Sequence, residues 1–578
     1  LMEGMSQAMR HHPGLKTESC LTPGYGSGRV HTGLFNPASQ PAEEEEYRLW
    51  LDGEIINCDD LKRQYALESQ HLTDADLMLQ LYKQCRWDFL TDLDGQFVIA
   101  LYNRTRHELT LINDRHGLRP IHWVHLPQGV AYAGEVKALL DIPDVRTEID
   151  RRAIEDWFSI GYLLGERTWI DGIQLLPTGT VLRIGEHGIE QTRYWSWHDI
   201  SPLPAGTPES DIVEELGRLW IQSVERRCRH DRLGQFLSGG LDSRAIVAAL
   251  PTSVQDYHAL TFGVRGCDDD RIARRVAKQK GIPYHFFEIT AENWFRPRLD
   301  AIWRTDGMLR IHDLHGVEAM PIARKFFKIN VHGFLGDATV GGGFMNETPD
   351  KRAFFRDRII RSNPLSGAEE ETIIRLKEVW ARDGYRLEHF FIEQRGRRYV
   401  NYGLIMQMPW IEVALPFYDN DFLTFAMSIP DDLRRHSYIY NKMLLACFPD
   451  FYARIPWQKT GLPIGAPAWR YRVQDRKRMT RTALQPFFQR FHIDLMRNRK
   501  RYDNYPAWMR QEPAAGFIHR ILLHQTPLYT TYIDADKALK MVQDFMVGAD
   551  QYLEAVSLLM TWEIYLKYLY DPDGLSLE

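Results

Sequence analysis

Apolar and polar residues alternate along much of the first 200 residues. The two-residue period is typical of half-buried β-strands and runs through Tyr47–Leu51, Gln96–Tyr102, Glu108–Ile112 and Thr180–Ile184. Helical segments are expected between them, at Asp59–Ala66, Ala75–Gln84 and Arg151–Ser159. The pattern therefore predicts a region built mainly of strands, with a few helices.

The pattern changes after a proline-rich stretch, Ser201–Pro208. Helices dominate beyond it, and apolar strands are expected at Leu233–Leu237, His258–Val264, His285–Ile289 and Ile329–His332. Strands that alternate with helices predict a parallel sheet. We therefore expect one domain at residues 1–200 and a second domain at residues 209–578.

Composition narrows the class of protein. A chain of 578 residues exceeds what one hydrophobic core usually serves, and its net charge of −6 gives no basic surface for nucleic acid. No apolar run approaches the roughly 20 residues of a membrane span, and no signal peptide is recognisable. The six cysteines form no C-x-x-C pair, so we expect neither zinc nor disulfides, and a cytoplasmic location.

Candidate chemistry is concentrated in Leu237-Ser-Gly-Gly-Leu-Asp-Ser243, between a predicted strand and a helix expected near Arg244–Leu250. Glycines at 239 and 240 allow the backbone to approach a charged ligand, and serine hydroxyls with helix-start N–H groups bind phosphate. Asp242 can hold the accompanying Mg²⁺. The spacing matches neither a Walker loop nor a dinucleotide fingerprint. This turn indicates ATP binding, the alternative being an ordinary strand-to-helix turn.

The turn resembles the pyrophosphate loop of the N-type ATP pyrophosphatases, which cleave ATP between the α and β phosphates and leave AMP on a carboxylate. Further segments, in the same order, resemble the asparagine synthetase family: Asp52–Asn57, Asp94–Phe97, Asn113–Pro120, Leu176–Gly179, Thr261–Val264, His332–Asp337, Gly341–Phe344, Glu412–Asp419 and Trp457–Thr460. The resemblance implies an α/β fold: an Ntn-hydrolase-like αββα glutaminase-type domain, then an adenine nucleotide α-hydrolase-like domain with a parallel sheet and many helices.

Three departures from the family concern glutamine hydrolysis. The chain begins Leu1-Met-Glu-Gly without the family's nucleophilic cysteine, although a truncated amino terminus would explain that difference. Val30–Leu34 stands where the family places a glutamine-binding arginine, and Asp52 replaces an asparagine. We therefore expect the first domain to be a degenerate glutaminase that supplies no ammonia.

Without ammonia, the attacking amine must belong to the substrate. Two groups of enzymes that resemble asparagine synthetases use an amine of the substrate in this way. They are the β-lactam synthetases and the lasso peptide cyclases, the latter of which join a peptide's N-terminal amine to an Asp or Glu side chain. The tyrosine that β-lactam synthetases place three residues before the metal-binding aspartate is here Phe334. A peptide α-amine, with a reference pKa near 7.7–8.0, needs less help from a base. We therefore favour macrolactam closure, acting on a precursor peptide beside a leader peptidase and a leader-binding protein.

The resemblance also implies residue roles. Asp242 and Asp337 would share Mg²⁺, Lys459 would stabilise the oxyanion and leaving phosphate, and Glu412 would orient or deprotonate the amine. The residues expected to bind ATP are Leu237, Ser238, Gly239, Gly240, Asp242, Ser243, Val264, His332 and Gly333.

Structural alternatives stand beside these roles. Asp337 could cap a turn, Lys459 could be a solvated lysine with Lys442 as its substitute, and Glu412 could be a salt-bridge partner. His312 and His315 could share a metal, although lining a substrate cleft or bonding within the core is the favoured interpretation. The functional alternatives are asparagine synthesis from free ammonia or glutamine, another small-molecule amide ligase, and a non-catalytic nucleotide-binding relative.

Overall fold

A computed structural model describes residues 1–68, 71–342, 345, 355, 359–360, 363–384, 386–489, 501–524 and 526–575. Its strands, numbered in chain order, are β1 Lys16–Thr22, β2 Tyr25–His31, β3 Ala42–Glu43, β4 Tyr47–Ile55, β5 Gly95–Asn103, β6 Glu108–Asn113, β7 His122–Leu126, β8 Gly129–Ala133, β9 Ile173–Leu175, β10 Thr180–Gly185, β11 Gly188–Arg193, β12 Leu233–Phe236, β13 Tyr257–Gly263, β14 Tyr284–Glu288, β15 Ile329–Val331 and β16 Glu412–Ala414.

Helices are concentrated in the second half of the chain. The α-helices are Met2–Met9, Cys58–Gln64, Asp74–Cys85, Val136–Leu140, Arg151–Ile160, Glu209–Arg227, Asp242–Ala249, Asp268–Lys280, Arg296–Arg304, Met320–Phe326, Gly336–Thr339, Glu369–Asp383, Leu387–Phe390, Tyr402–Ile405, Asn420–Ser428, Asp431–Arg434, Tyr438–Cys447, Pro449–Tyr452, Ala468–Gln489, Tyr505–Trp508, Ala514–Ile518, Ala535–Met546 and Leu553–Tyr570. Within the described part of the second half, π-helices cover Phe391–Val400 and His519–His524.

Two β-sheets form the centre of the amino-terminal region. A six-stranded antiparallel sheet has the order β11-β10-β6-β5-β4-β3, and a three-stranded sheet has the order β8-β7-β9. Trp50 and Leu111 of the larger sheet lie in one apolar cluster, against which Trp123 and Tyr132 of the smaller sheet pack. The helix Asp74–Cys85 buries its apolar side chains against the other face of the larger sheet. Strands β5 and β6 are therefore buried almost throughout, and the half-buried environment that the alternating pattern predicted for them is wrong.

The carboxy-terminal region is built on a five-stranded sheet in the order β14-β13-β12-β15-β16, and all its recorded pairings are parallel. The predicted parallel sheet is therefore confirmed. Each predicted strand lies within two residues of the observed one, apart from β4, which extends to Ile55. Because β12 lies between β13 and β15, the carboxyl ends of these three strands share one edge of the sheet.

The largest apolar core crosses the proline-rich segment. Trp157, on the helix Arg151–Ile160, donates through its indole Nε1 to the Leu558 carbonyl at 3.2 Å. Trp169 stacks on Trp562 with ring centroids 4.3 Å apart. Residues from either side of that segment thus share one hydrophobic interior.

No helix in the described part of the chain is both long enough and apolar enough to cross a membrane.

Candidate active site at the carboxyl edge of the parallel sheet

The loop after β12 is held closed by its own hydroxyls. Ser238 and Ser243 place their Oγ atoms 3.0 Å apart, and the Ser238 backbone N–H donates to Ser243 Oγ at 3.2 Å. The Gly240 N–H donates to Ser238 Oγ at 3.2 Å. The helix that follows begins at Asp242, two residues earlier than expected. The backbone of this turn therefore faces a helix start, which favours anion binding.

Asp269 anchors the loop from outside, and the sequence analysis did not identify it. Its Oδ1 accepts from the Gly239 N–H at 2.8 Å, and its Oδ2 accepts from Gln458 Nε2 at 2.6 Å. Gln458 also donates its backbone N–H to the Gly239 carbonyl at 3.2 Å. The segment that carries Lys459 is thus tied directly to the loop. In the sequence, Asp269 could have been found from the run of three carboxylates, Asp268-Asp-Asp270, that follows the Thr261–Val264 segment.

Arg244 is a second structural residue that was missed. Its buried guanidinium donates to the carbonyls of Gly239 at 3.2 Å, Ile455 at 3.0 Å and Pro456 at 2.8 Å. One side chain therefore joins the loop to the chain that leads into Trp457–Thr460. Because it is deeply buried, its substitution would leave the carbonyls of Ile455 and Pro456 without this donor, whereas the Gly239 carbonyl would keep the Gln458 N–H.

Asp242 and Asp337 lie close to each other. The turn carrying Asp337 passes so near Asp242 that a Cβ on Gly336 would lie 2.6 Å from Asp242 Cγ. Asp242 Oδ1 accepts from the Tyr440 hydroxyl at 3.0 Å. Burial and then the charge of Asp337 raise the pKa of Asp242 to about 7. Burial also raises the pKa of Asp337, which the positive charge of Lys459 opposes.

This pair of carboxylates fits a divalent cation. The charge of Asp337 raises the pKa of Asp242, and carboxylate oxygens are the ligands that Mg²⁺ prefers. Asp242 and Asp337 are the residues that would hold it.

Lys459 is exposed, and its ammonium nitrogen lies 5.3 Å from the centroid of the Trp457 ring. Its charge acts on Asp337, so it lies on the carboxylate side of the site. Lys442 instead makes an exposed ion pair with Glu209. The structure thus brings Lys459, and not Lys442, towards the predicted site.

Four of the residues expected to bind ATP, namely Leu237, Val264, His332 and Gly333, lie at neighbouring strand ends. Leu237 follows β12 and donates its N–H to the Leu260 carbonyl at 2.9 Å, whereas Val264 follows β13 and donates to the Tyr502 carbonyl at 2.9 Å. His332 and Gly333 follow β15, and a Cβ on Gly333 would lie 3.0 Å from the Ser243 nitrogen. Burial lowers the pKa of His332 to about 4, so its ring is neutral at pH 7.

Glu412 is placed differently. It begins β16 and pairs with Ile329, so it lies at the amino end of the strands, whereas the loop lies at their carboxyl end. Its Oε1 accepts from Thr32 Oγ1 and its Oε2 from Arg119 Nη2, both at 2.7 Å. Burial raises its pKa, which Arg119 opposes. Glu412 is therefore the salt-bridge partner that the sequence allowed, and its role towards an amine stays a prediction.

The altered glutamine segment has acquired other contacts. Gly33 stands against Lys16, and a Cβ at Gly33 would lie 2.9 Å from Lys16 Nζ. Asp52 accepts from Arg119 Nη1 at 3.0 Å. Thr32, in the same segment, reaches Glu412 of the other region. Thr32 thus contacts Glu412 of β16 directly, and Asp52 is joined to it through Arg119.

Comparison with protein families gives two matches. The model for a glutamine amidotransferase domain matches residues 3–195, and the asparagine synthase model matches residues 215–567. The predicted fold class is therefore confirmed as an amidotransferase-type domain followed by an asparagine synthase domain with a parallel sheet.

Individual relatives are distant. The chain is 29% identical to glutamine-hydrolysing asparagine synthetase 2 of Bacillus subtilis over 42% of this chain and 34% of that protein. Asparagine synthetase 3 of B. subtilis is 21% identical over 77% of this chain and 81% of that protein. The Gallus gallus asparagine synthetase is 25% identical over 67% of this chain and 66% of that protein. The chain thus spans between about a third and four fifths of these relatives.

Proposed function

The chain belongs to the asparagine synthase family, and from that premise we propose that it is an ATP-dependent amide ligase. The observation that carries the proposal is the convergence of Asp242 and Asp337 beside the Ser238–Ser243 loop. Burial and the neighbouring carboxylate raise the pKa of Asp242 to about 7. Such a pair is poorly stabilised until a cation and a polyphosphate arrive, as expected of a site built to bind them.

The chemistry follows from the positions of the charges. A substrate carboxylate attacks the α-phosphorus of ATP, the bond to the β-phosphate breaks, and pyrophosphate leaves with the bonding electrons. Ser238, Gly239, Gly240 and Ser243 hold the departing pyrophosphate through hydroxyl and backbone groups. Mg²⁺, when bound by Asp242 and Asp337, neutralises phosphate charge. Lys459 stabilises the oxyanion formed when an amine attacks the acyl-adenylate.

For the substrate we propose a linear peptide, whose N-terminal amine and Asp or Glu side chain are joined as a macrolactam. Phe334 supports this choice, because its buried ring cannot assist a poorly nucleophilic amine. The choice is also supported by the contacts of Thr32, Gly33 and Asp52 with Glu412, Lys16 and Arg119. We interpret these contacts as structural, in a region that no longer binds glutamine. A precursor peptide, a leader peptidase, a leader-binding protein and a cytoplasmic location complete this proposal.

Asparagine formation from aspartate and ammonia is the second candidate. The names of the relatives in B. subtilis and G. gallus favour it.

One experiment separates the two candidates. The protein is incubated with ATP and Mg²⁺ and either L-aspartate plus ammonium or linear peptides that have a free amine and one internal Asp or Glu. Macrolactam closure predicts AMP together with a peptide that has lost one water, as measured by mass spectrometry. Asparagine as the product would refute the cyclase proposal, and absence of AMP with every substrate would refute the ligase proposal.

A further inference from the structure

Amide formation needs a group that takes the proton of the attacking amine. Phe334 has no titratable atom, and Glu412, bound by Thr32 and Arg119, lies at the amino end of the strands, away from the loop. Among the described residues, another candidate lies in the segment Arg310–His315, outside the candidate nucleotide loop.

Asp313 is the centre of a polar cluster. Its Oδ2 accepts from Arg310 Nε at 2.7 Å and from the Tyr399 hydroxyl. Its Oδ1 lies 3.5 Å from His315 Nε2 and 3.4 Å from His312 Nε2. Burial alone would raise the pKa of Asp313, but His312 and Arg310 hold it well below its usual range. The carboxylate therefore stays ionised and can support a positive charge on a neighbouring imidazole.

The cluster lies against the nucleotide end of β13. Gly316 packs so closely on the Phe262 ring of β13 that a Cβ would clash with the ring. The preceding residue, His315, therefore lies beside that strand. The Tyr502 hydroxyl is 3.2 Å from His315 Nδ1, and the Tyr502 carbonyl accepts from the Val264 N–H at 2.9 Å. A single residue thus separates His315 from the backbone at the end of β13.

The other side of the cluster reaches the turn that carries Asp337. Tyr399, bonded to Asp313, belongs to the π-helix Phe391–Val400. A Cβ on Gly396 of that helix would lie 2.6 Å from Leu335 Cδ1, two residues before Asp337. Since β12 lies between β13 and β15, the cluster joins the two strand ends on either side of the loop.

Exposure distinguishes the two histidines. The side chain of His315 is 35% exposed, whereas that of His312 is 11% exposed. Burial lowers the pKa of His312 to about 4, so that ring stays neutral at pH 7. His315 is therefore the imidazole that a bound substrate can reach.

We propose that His315, positioned by Asp313, is the general base of the ligase. It rests on the proposed function. The imidazole takes a proton from the ammonium form of the substrate. The neutral nitrogen then bonds to the carbonyl carbon of the acyl-adenylate, the bond from that carbon to the phosphate oxygen breaks, and AMP leaves with the electron pair. The second proton of the attacking nitrogen passes to the phosphate of the departing AMP, which leaves a neutral amide. The groups that face His315 are Asp313 and His312 of its own segment, with Tyr502 and Tyr505 opposite.

The test compares two nucleophiles in His315→Gln. Hydroxylamine is largely neutral at pH 7 and traps an acyl-adenylate as a hydroxamate without a base. We expect hydroxamate formation to stay within about threefold of the unmodified protein, and closure by the peptide's own amine to fall about 100-fold or more. Raising the pH to about 9 should restore much of the closure, because the α-amine then deprotonates unaided. Asp313→Asn should show a smaller loss of the same kind.

His125→Gln, at an exposed position on β7, is the matched control and should behave as the unmodified protein. Closure at the unmodified rate in His315→Gln would overturn the inference while leaving the ligase intact. Equal loss of hydroxamate and amide would overturn it as well, because it would indicate substrate binding or folding. If the unmodified protein forms no AMP with any peptide or with aspartate, the proposed function fails instead.

Discussion

Asp242→Asn should stabilise the ligand-free protein while abolishing its activity. With a reference pKa of 3.8 and a folded value of about 7, the native state binds more protons than the unfolded state between those two values. Stability from this group is therefore present below pH 3.8 and is lost as the pH rises through 7. At 1.36 kcal/mol per pKa unit, the penalty is about 1.7 kcal/mol at pH 5 and about 4 kcal/mol at pH 8.

Asn removes the charge and keeps the oxygen that accepts from the Tyr440 hydroxyl at 3.0 Å. The free energy of unfolding should therefore increase relative to the unmodified protein by an amount that is about 2.5 kcal/mol larger at pH 8 than at pH 5. Urea denaturation without nucleotide, at both pH values, measures this difference. Asp144→Asn, at an exposed position, is the control and should show no such dependence on pH.

Addition of ATP and Mg²⁺ should stabilise the unmodified protein and leave Asp242→Asn unchanged, while AMP formation in the variant disappears. A gain in stability that is the same at pH 5 and pH 8 would refute the reasoning, because the charge would then not be the source of the penalty. Retained AMP formation would refute the assignment of Asp242 to the site.

Three further variants test other parts of the structure. Lys459→Ala should leave the urea midpoint nearly unchanged, since the side chain is exposed, yet lower AMP formation about 100-fold; an unchanged rate would remove Lys459 from the mechanism. Arg119→Met leaves the buried Glu412 without its 2.7 Å partner and should lower the free energy of unfolding by about 3–5 kcal/mol, with the double variant Arg119→Met, Glu412→Leu recovering part of the loss. Gly336→Ala places a Cβ 2.6 Å from Asp242 Cγ and 2.7 Å from Cζ of the buried Phe417 ring, so it should abolish AMP formation and also lower stability in urea, whereas Gly367→Ala, with nothing within 4 Å, should be silent.

The strands could be predicted because each reflects a local environment. The alternation in Gln96–Tyr102 and the apolar run Leu233–Leu237 located β5 and β12, because a pattern a few residues long is enough to indicate a strand. The alternation did not predict the burial of both faces of β5, since the two cores that cover it are formed by residues distant in the chain. The start of the helix at Asp242 was two residues from its expected position, since a loop held by its own serine hydroxyls extends the helix backwards. Helix ends depend on such single contacts.

The candidate loop Ser238–Ser243 could be proposed from the residues alone, because the residue types that suit phosphate binding are consecutive within one turn. Asp269 and Arg244 were missed, since their partners lie between 5 and 212 positions away in the chain and are brought to Gly239 only by folding. The hydrogen-bond partners of Glu412 could not be predicted either, because Thr32 and Arg119 come from the amino-terminal region of the chain.

The local sequence pattern was sufficient to predict the parallel sheet, and residue type and glycine content were sufficient to predict a candidate nucleotide loop, because these signals act over short ranges. Folding adds that the charge of Asp337 raises the pKa of Asp242, that Glu412 is bound to Arg119, and that Tyr502 connects His315 to the end of β13. These features could not be read from short segments, since burial and Coulomb interaction depend on distance in space. Distances of a few ångströms between remote residues are set by packing around the whole core.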